Sequence, residues 1–226
     1  MTDLADDLQR FLRTLRSAFD AATLGDPVRR ALARRLFERL DGLGGETGAI
    51  APVRLPACRH FEAAVAAAST ARDDGPDGRP DGAPDRWPSD RAPPATTAAL
   101  ARALAALEPA LRWYRRAGAE AHGPTFPAGH ANAFVVGPGG IADRAGVSVG
   151  VSLMAPGLRY PDHSHPPEEL YLVLSPGHWR RSDTGWFEPG PGGTVHNVPD
   201  VVHAMRSGAA PLLAIWCLLE GSRDPS

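Results

Sequence analysis

Five of the eight histidines in this 226-residue chain fall between Tyr160 and His203. The first two stand in a segment dense in groups that hold metals or move protons: Tyr160-Pro161-Asp162-His163-Ser164-His165-Pro166-Pro167-Glu168-Glu169-Leu170-Tyr171. On an extended strand, residues two apart point to the same face, which pairs His163 with His165. After a short turn, Glu169 and Tyr171 share a face of the next strand in the same way. Imidazoles and a carboxylate gathered like this suit a divalent first-row metal ion. His203 lies 38 residues beyond His165, past a turn-rich stretch, where a neighbouring strand can return it to the same place.

Those residues need a scaffold, and the two halves of the chain read differently. Leu4, Leu8, Phe11, Leu12, Leu15 and Phe19 recur at three- and four-residue spacing and predict one amphipathic helix. Asp26-Pro27 reads as an N-cap followed by proline at the first helical position. Val28, Leu32, Leu36, Phe37 and Leu40 then mark a second helix, which Gly42 to Gly45 end. A third covers Cys58 to Ala68, and a fourth Thr97 to Arg116, with Pro109 kinking or breaking it. These apolar stripes must be covered, either by the main domain or by a partner subunit, so a homodimer is one expectation. Ala71 to Ala95 holds six prolines, six aspartates and three glycines, with Trp87 its sole large apolar group, and reads as a mobile loop.

From about His130 the texture becomes β. Val147, Val149, Val151 and Leu153 alternate with small or polar residues. Residues 133–136, 170–174, 186–187, 194–198 and 212–219 supply further strands. The glycines at 137–140 and 190–193 read as hairpin turns. Short strands between Gly/Pro turns favour a β-sandwich or barrel. The organisation expected is a helical region over residues 1–120, followed by a barrel over 121–226.

Within that barrel the spacing matches the first cupin motif: Gly157, five residues, His163-x-His165, three residues, Glu169. A second, imperfect motif follows as Gly193, five residues, Pro199, then His203. The fold expected is therefore a cupin, a double-stranded β-helix barrel, preceded by an α-helical region. More narrowly, Tyr160-x-x-His163-x-His165-x-x-x-Glu169-x-Tyr171, with His203-Ala204-Met205-Arg206 and Pro211-Leu212-Leu213-Ala214, resembles the cupin-type dimethylsulfoniopropionate (DMSP) lyases of bacteria. The resemblance covers the C-terminal half with specific motifs and the helical half only in layout. It implies metal ligands at His165, Glu169 and His203, with Tyr171 as a further ligand or the catalytic base. It also implies that His163 and Tyr160 line the pocket.

The substrate so implied is a zwitterion: a carboxylate, two methylenes and a dimethylsulfonium leaving group. Lysis removes the weakly acidic proton next to the carboxylate, expels dimethyl sulfide and leaves acrylate. A Lewis-acid metal gripping the carboxylate stabilises the charge that develops. A free tyrosine, with a pKa of about 10, is a poor base until a nearby metal lowers it. Tyr171 is the first choice for that role and Tyr160 the reserve. The sulfonium calls for aromatic faces, for which Trp179, Trp186 and Trp216 are candidates. Two histidines, a glutamate and a tyrosine accept zinc, iron, manganese or nickel alike.

Composition removes other classes. All 24 basic residues are arginine, so a lysine Schiff base and a Walker-type phosphate lysine are excluded. With 26 acidic residues the formal charge is −2, which argues against a nucleic-acid partner. No apolar run is long enough to span a bilayer, and the acidic start is no secretion signal, so a cytoplasmic enzyme without a membrane partner is expected. Cys58 and Cys217 read as buried apolar groups. Gly146-Val147-Ser148-Val149-Gly150 satisfies a nucleophile-elbow pattern, but alternation continues through Leu153 and makes Ser148 a strand residue. Of the remaining histidines, His196 is the one expected to approach the pocket. Two rival functions stay open: a cupin dioxygenase or isomerase acting on another small acid, and a metal-dependent binding module without catalysis.

Overall fold

The computed structural model describes residues 3–43, 51–69 and 94–220. Four helices precede the barrel: α1 (Leu4–Ala22), α2 (Pro27–Leu40), α3 (Phe61–Ser69) and α4 (Ala95–Leu107). Asp3 caps α1 by accepting from the Ala5 amide, and Asp26 caps α2 by accepting from the Arg29 amide, with Pro27 in the first turn. The loop expected over Ala71 to Ala95 lies, apart from its last two residues, outside the described residues.

The fourth helix is shorter than its sequence pattern. It stops at Leu107, a single 3-10 turn spans Glu108–Ala110, and Trp113–Tyr114 forms strand β1. Pro109 has no amide hydrogen to continue the ladder, so the apolar residues beyond it are free to join the sheet. A short helix α5 (Thr125–Gly129) then leads into the barrel strands.

The barrel consists of two antiparallel sheets. One orders its strands β1-β2-β3-β10-β5-β8, with β2 at His130–Val136, β3 at Val147–Met154, β5 at Glu168–Val173, β8 at Thr194–Asn197 and β10 at Leu212–Leu219. The other orders β4-β9-β6-β7, with β4 at Arg159–His163, β6 at Gly177–Arg181, β7 at Gly185–Phe187 and β9 at His203–Ser207. Strands β4, β6 and β9 carry histidines and arginines in place of an apolar alternation, so hydropathy alone does not mark them. The glycine turn at 137–140 does lie in a hairpin connection, between β2 and β3. The turn at 190–193 is not a hairpin, because it carries the chain from β7 in one sheet to β8 in the other.

Side-chain alternation divides the interior in two. Tyr171, Val173, Ala214 and Trp216 join Tyr160, Trp179 and Met205 of the opposite sheet inside the barrel. Leu170, Leu172, Ile215 and Cys217 face the other way, into a larger cluster with Leu8, Phe11, Phe19, Leu36 and Leu104 of the helices. The six-stranded sheet is thus buried on both faces, and the helical stripes find their cover on the barrel. Gly150 answers to the same packing: it lies opposite Trp216, and a Cβ there would overlap the indole ring. This accounts for a glycine at the end of the elbow-like pattern, and Ser148 is an ordinary residue of β3.

Truncation tests this arrangement. A chain beginning near Ala95 exposes Leu170, Leu172, Ile215 and Leu219 together, a contiguous apolar face of the kind that drives association. Such a chain is expected to aggregate on size-exclusion chromatography. A soluble and fully folded truncation would show that the helices are dispensable.

Candidate active site

At one end of the barrel, three strands and a loop bring the chemistry-bearing side chains together. Glu169 and Tyr171 point inward from β5, both buried. His203 points inward from β9 and pairs in register with His163 at the end of β4. Tyr160 and His163 are three apart on β4, so a regular strand would place them on opposite faces. A register shift between them, which adds one residue to β4, turns both inward. His165 is not on a strand; it follows β4 in the loop to β5, and its ring centre lies 5.1 Å from that of His203. The ring centres of His163 and His203 are 4.1 Å apart.

Each of the three rings is anchored through Nδ1 to a backbone carbonyl: His163 to Pro161 at 2.9 Å, His165 to Pro167 at 3.0 Å and His203 to Val201 at 2.9 Å. A ring that donates through Nδ1 offers Nε2 as the ligand atom, the usual outer arrangement around a metal. Ligand nitrogens from all three histidines lie within 4.8 Å of one another. The Glu169 carboxylate is 3.4 Å from His165 Nε2 and 3.2 Å from His203 Nε2. Ligand atoms about 2.0–2.1 Å from a tetrahedral ion are themselves roughly 3.3 Å apart, so these spacings fit. The Asn197 amide donates to Glu169 Oε2 at 2.8 Å and aims the carboxylate. His203 Nε2 is buried without a hydrogen-bond partner. In a neutral ring it is an acceptor facing another acceptor, an arrangement that requires a proton or a cation between them. The residues present therefore fit a divalent ion.

Electrostatics separate the groups. Burial pushes Glu169 up, but the adjacent imidazoles of His165 and His203 outweigh it and hold the carboxyl below its usual range. Burial, reinforced by His203, lowers His163 to about 3, so its ring is neutral near pH 7. Tyr171 is pushed well above its ordinary value by burial and then by the nearby Glu169 carboxylate. Tyr160 is also raised by burial, but Arg116 and Asn132 pull against that.

Other expected residues are placed as follows. Trp179 is buried inside the barrel, with its ring edge-on to Tyr171 at 6.2 Å, and Trp216 lies in the same interior cluster. Trp186 is not brought to the pocket. It pairs with Arg180 across β6 and β7, while Trp179 pairs with Phe187, so alternation turns Trp186 to the outer face. There the guanidinium groups of Arg206 and Arg159 lie 4.5 and 5.8 Å from its ring. His196 does not approach the pocket either; it faces outward to Glu168 at 2.9 Å, and its neighbour Asn197 turns inward. Sequence reasoning also left out His130, which is buried beside Tyr160 with ring centres 4.6 Å apart and bonded to Asn132 and Ser152. Its signal was the inward alternation of His130, Asn132 and Phe134 along β2, against the alanines facing the helices.

A histidine and glutamate cluster at one end of two facing antiparallel sheets defines a cupin with a candidate metal centre. The family model for dimethylsulfoniopropionate lyase, DMSP lyase, matches residues 89–214, more than half of the chain. The chain belongs to the DMSP lyase family, a family of carbon–sulfur lyases. A crystal structure described with the DMSP lyases RdDddP and RnDddQII is 21% identical, with a TM-score of 0.68 over 99% of this chain and 97% of that one. The DMSP lyase DddQ from Ruegeria pomeroyi DSS-3 is 22% identical, with a TM-score of 0.64 over 96% of this chain and 94% of that one. Both share the fold along nearly the whole length, helices included. A comparison with curated protein sequences finds no match.

Proposed function

We infer that the protein cleaves DMSP to dimethyl sulfide and acrylate by a metal-dependent β-elimination in which a tyrosine takes the α-proton. The observation that carries this reading is the convergence of His165, His203 and Glu169 beside the Tyr171 hydroxyl, in a chain of the DMSP lyase family. His165, Glu169 and His203 would hold the ion, with Tyr171 on the same face of β5 as Glu169. When bound, a divalent ion supplies Lewis-acid stabilisation of the negative charge that develops on the substrate carboxylate.

The chain's own residues do the rest. Tyr171 accepts the proton from the carbon next to the carboxylate; the freed pair forms the carbon–carbon double bond, and the carbon–sulfur pair leaves with dimethyl sulfide. Tyr160 and His163 line the pocket and orient the carboxylate end. Trp179 and Trp216 offer π-faces to the sulfonium, whose positive charge they attract. A buried site also keeps water from competing for the proton.

The deciding experiment is headspace detection of dimethyl sulfide from purified protein and DMSP, with and without a chelator. Release that a chelator abolishes and added zinc, iron, manganese or nickel restores supports the reading; release untouched by exhaustive chelation removes the metal from it. Asn197 gives a subtler check. Asn197→Leu leaves the buried Glu169 without its orienting donor, and metal affinity is expected to fall about 10–100-fold by competitive titration. Unchanged affinity would show that Glu169 needs no such support.

A further inference from the structure

A cation stands beside the pocket with no carboxylate among the described residues to pair with it. Arg116 follows strand β1, whose Trp113 is locked edge-on to Phe61 and whose Tyr114 stacks on Phe134 at 5.4 Å. The next residue, Arg115, bonds the Pro127 carbonyl at 3.0 Å, which pins this stretch of chain against α5. The Arg116 guanidinium is thereby held over the Tyr160 ring, 5.2 Å from its centre. There its charge favours the ionised form of Tyr160 and disfavours the protonated forms of His163 and His130.

Its Nη1 atom, however, is shut off from solvent and has no hydrogen-bond partner. Among the described residues no carboxylate forms an ion pair with Arg116. A buried guanidinium donor left unmade is costly, and the expected resolution is an acceptor that arrives from outside. Arginine is suited to carboxylate because its planar fork presents parallel N–H groups. DMSP carries one anionic group, its carboxylate, and its other end is a cation that Arg116 repels.

We propose that Arg116 is a substrate-binding residue whose guanidinium receives the carboxylate of DMSP and so fixes which end of the zwitterion enters beside Tyr160. This rests on the lyase reading for the identity of the substrate, but not on metal binding or on which tyrosine is the base. The aromatic faces of Tyr171, Trp179 and Trp216 are then left for the sulfonium, and binding in the reversed orientation is disfavoured by like charge.

The test uses two probes that each carry half of the substrate. Propionate has the carboxylate alone, and trimethylsulfonium has the cation alone. Their binding to the full-length, metal-replete protein is measured by calorimetry and by inhibition of dimethyl sulfide release, at matched metal content. In Arg116→Met, propionate affinity is expected to fall roughly 10–100-fold and the KM for DMSP to rise similarly, the range typical of losing a charge-assisted hydrogen bond. Trimethylsulfonium should bind as before, and Arg116→Lys, which keeps the charge but not the fork, should recover part of the propionate loss. Unchanged propionate affinity in Arg116→Met overturns the assignment. Equal loss of both probes overturns it too, because that is the signature of a collapsed pocket wall. If wild-type protein releases no dimethyl sulfide, the calorimetric arm still decides Arg116, and only the reaction is lost.

Discussion

In Tyr171→Phe, turnover of DMSP is expected to fall by roughly 10²–10⁴-fold, the range for losing a general base, while the ring and its packing against Trp179 stay in place. Tyr171 is a demanding choice of base. Burial and the adjacent Glu169 hold its hydroxyl well above the ordinary tyrosine range, so in the protein alone it keeps its proton. A cation held by His165, Glu169 and His203 would neutralise the carboxylate and supply the positive charge that favours the ionised tyrosine. The two losses should therefore overlap: chelation and Tyr171→Phe together are expected to cost little more than either alone, a non-additivity that a double-variant cycle measures. Tyr160 sits in a different field, with Arg116 and Asn132 favouring its ionised form. Tyr160→Phe should cost less than Tyr171→Phe at matched metal content. Near-normal turnover in metal-replete Tyr171→Phe beside a dead Tyr160→Phe would move the base to Tyr160, and normal turnover in both would reject a tyrosine base.

His203→Ala is expected to lose both bound metal and activity. The ring is 3% exposed, its Nδ1 is committed to the Val201 carbonyl and its Nε2 faces Glu169. Removing it deletes one ligand and leaves the buried carboxylate with a weaker cationic surround. Elemental analysis should fall from about one divalent ion per chain toward none, and dimethyl sulfide release should fall with it. His196→Ala is the matched control, since that ring faces Glu168 on the outside, and it should retain metal. Full metal occupancy in His203→Ala would sink the ligand assignment.

The strand on which Glu169 and Tyr171 share a face, the helices with the Asp26 cap of α2 and the return of His203 were all legible in the sequence. Each depends on interactions within a few residues or on a fixed period: alternation on strands, the 3.6-residue repeat on helices, and side chains that cap nearby amides. What the linear pattern could not reach was decided by register and by which face of each strand met which layer. The extra residue in β4 that turns Tyr160 and His163 to the same side exists only because β4 is pinned to β9. Trp186 and Phe187 are equally apolar neighbours, and only pairing with β6 sends one outward to the arginines and the other inward. His196 and Asn197 were exchanged for the same reason, since a one-residue difference in register swaps the faces of a strand. Arg116 reaches the pocket because Pro109 ends α4 early and lets Trp113–Tyr114 join the sheet, whereas a continuous helix would have carried the guanidinium elsewhere. Chemistry carried by residue type and short spacing was therefore readable in advance. The polar surround of Asn197, His130 and Arg116 was not, because long-range strand pairing, not local propensity, decides which side chains a buried pocket receives.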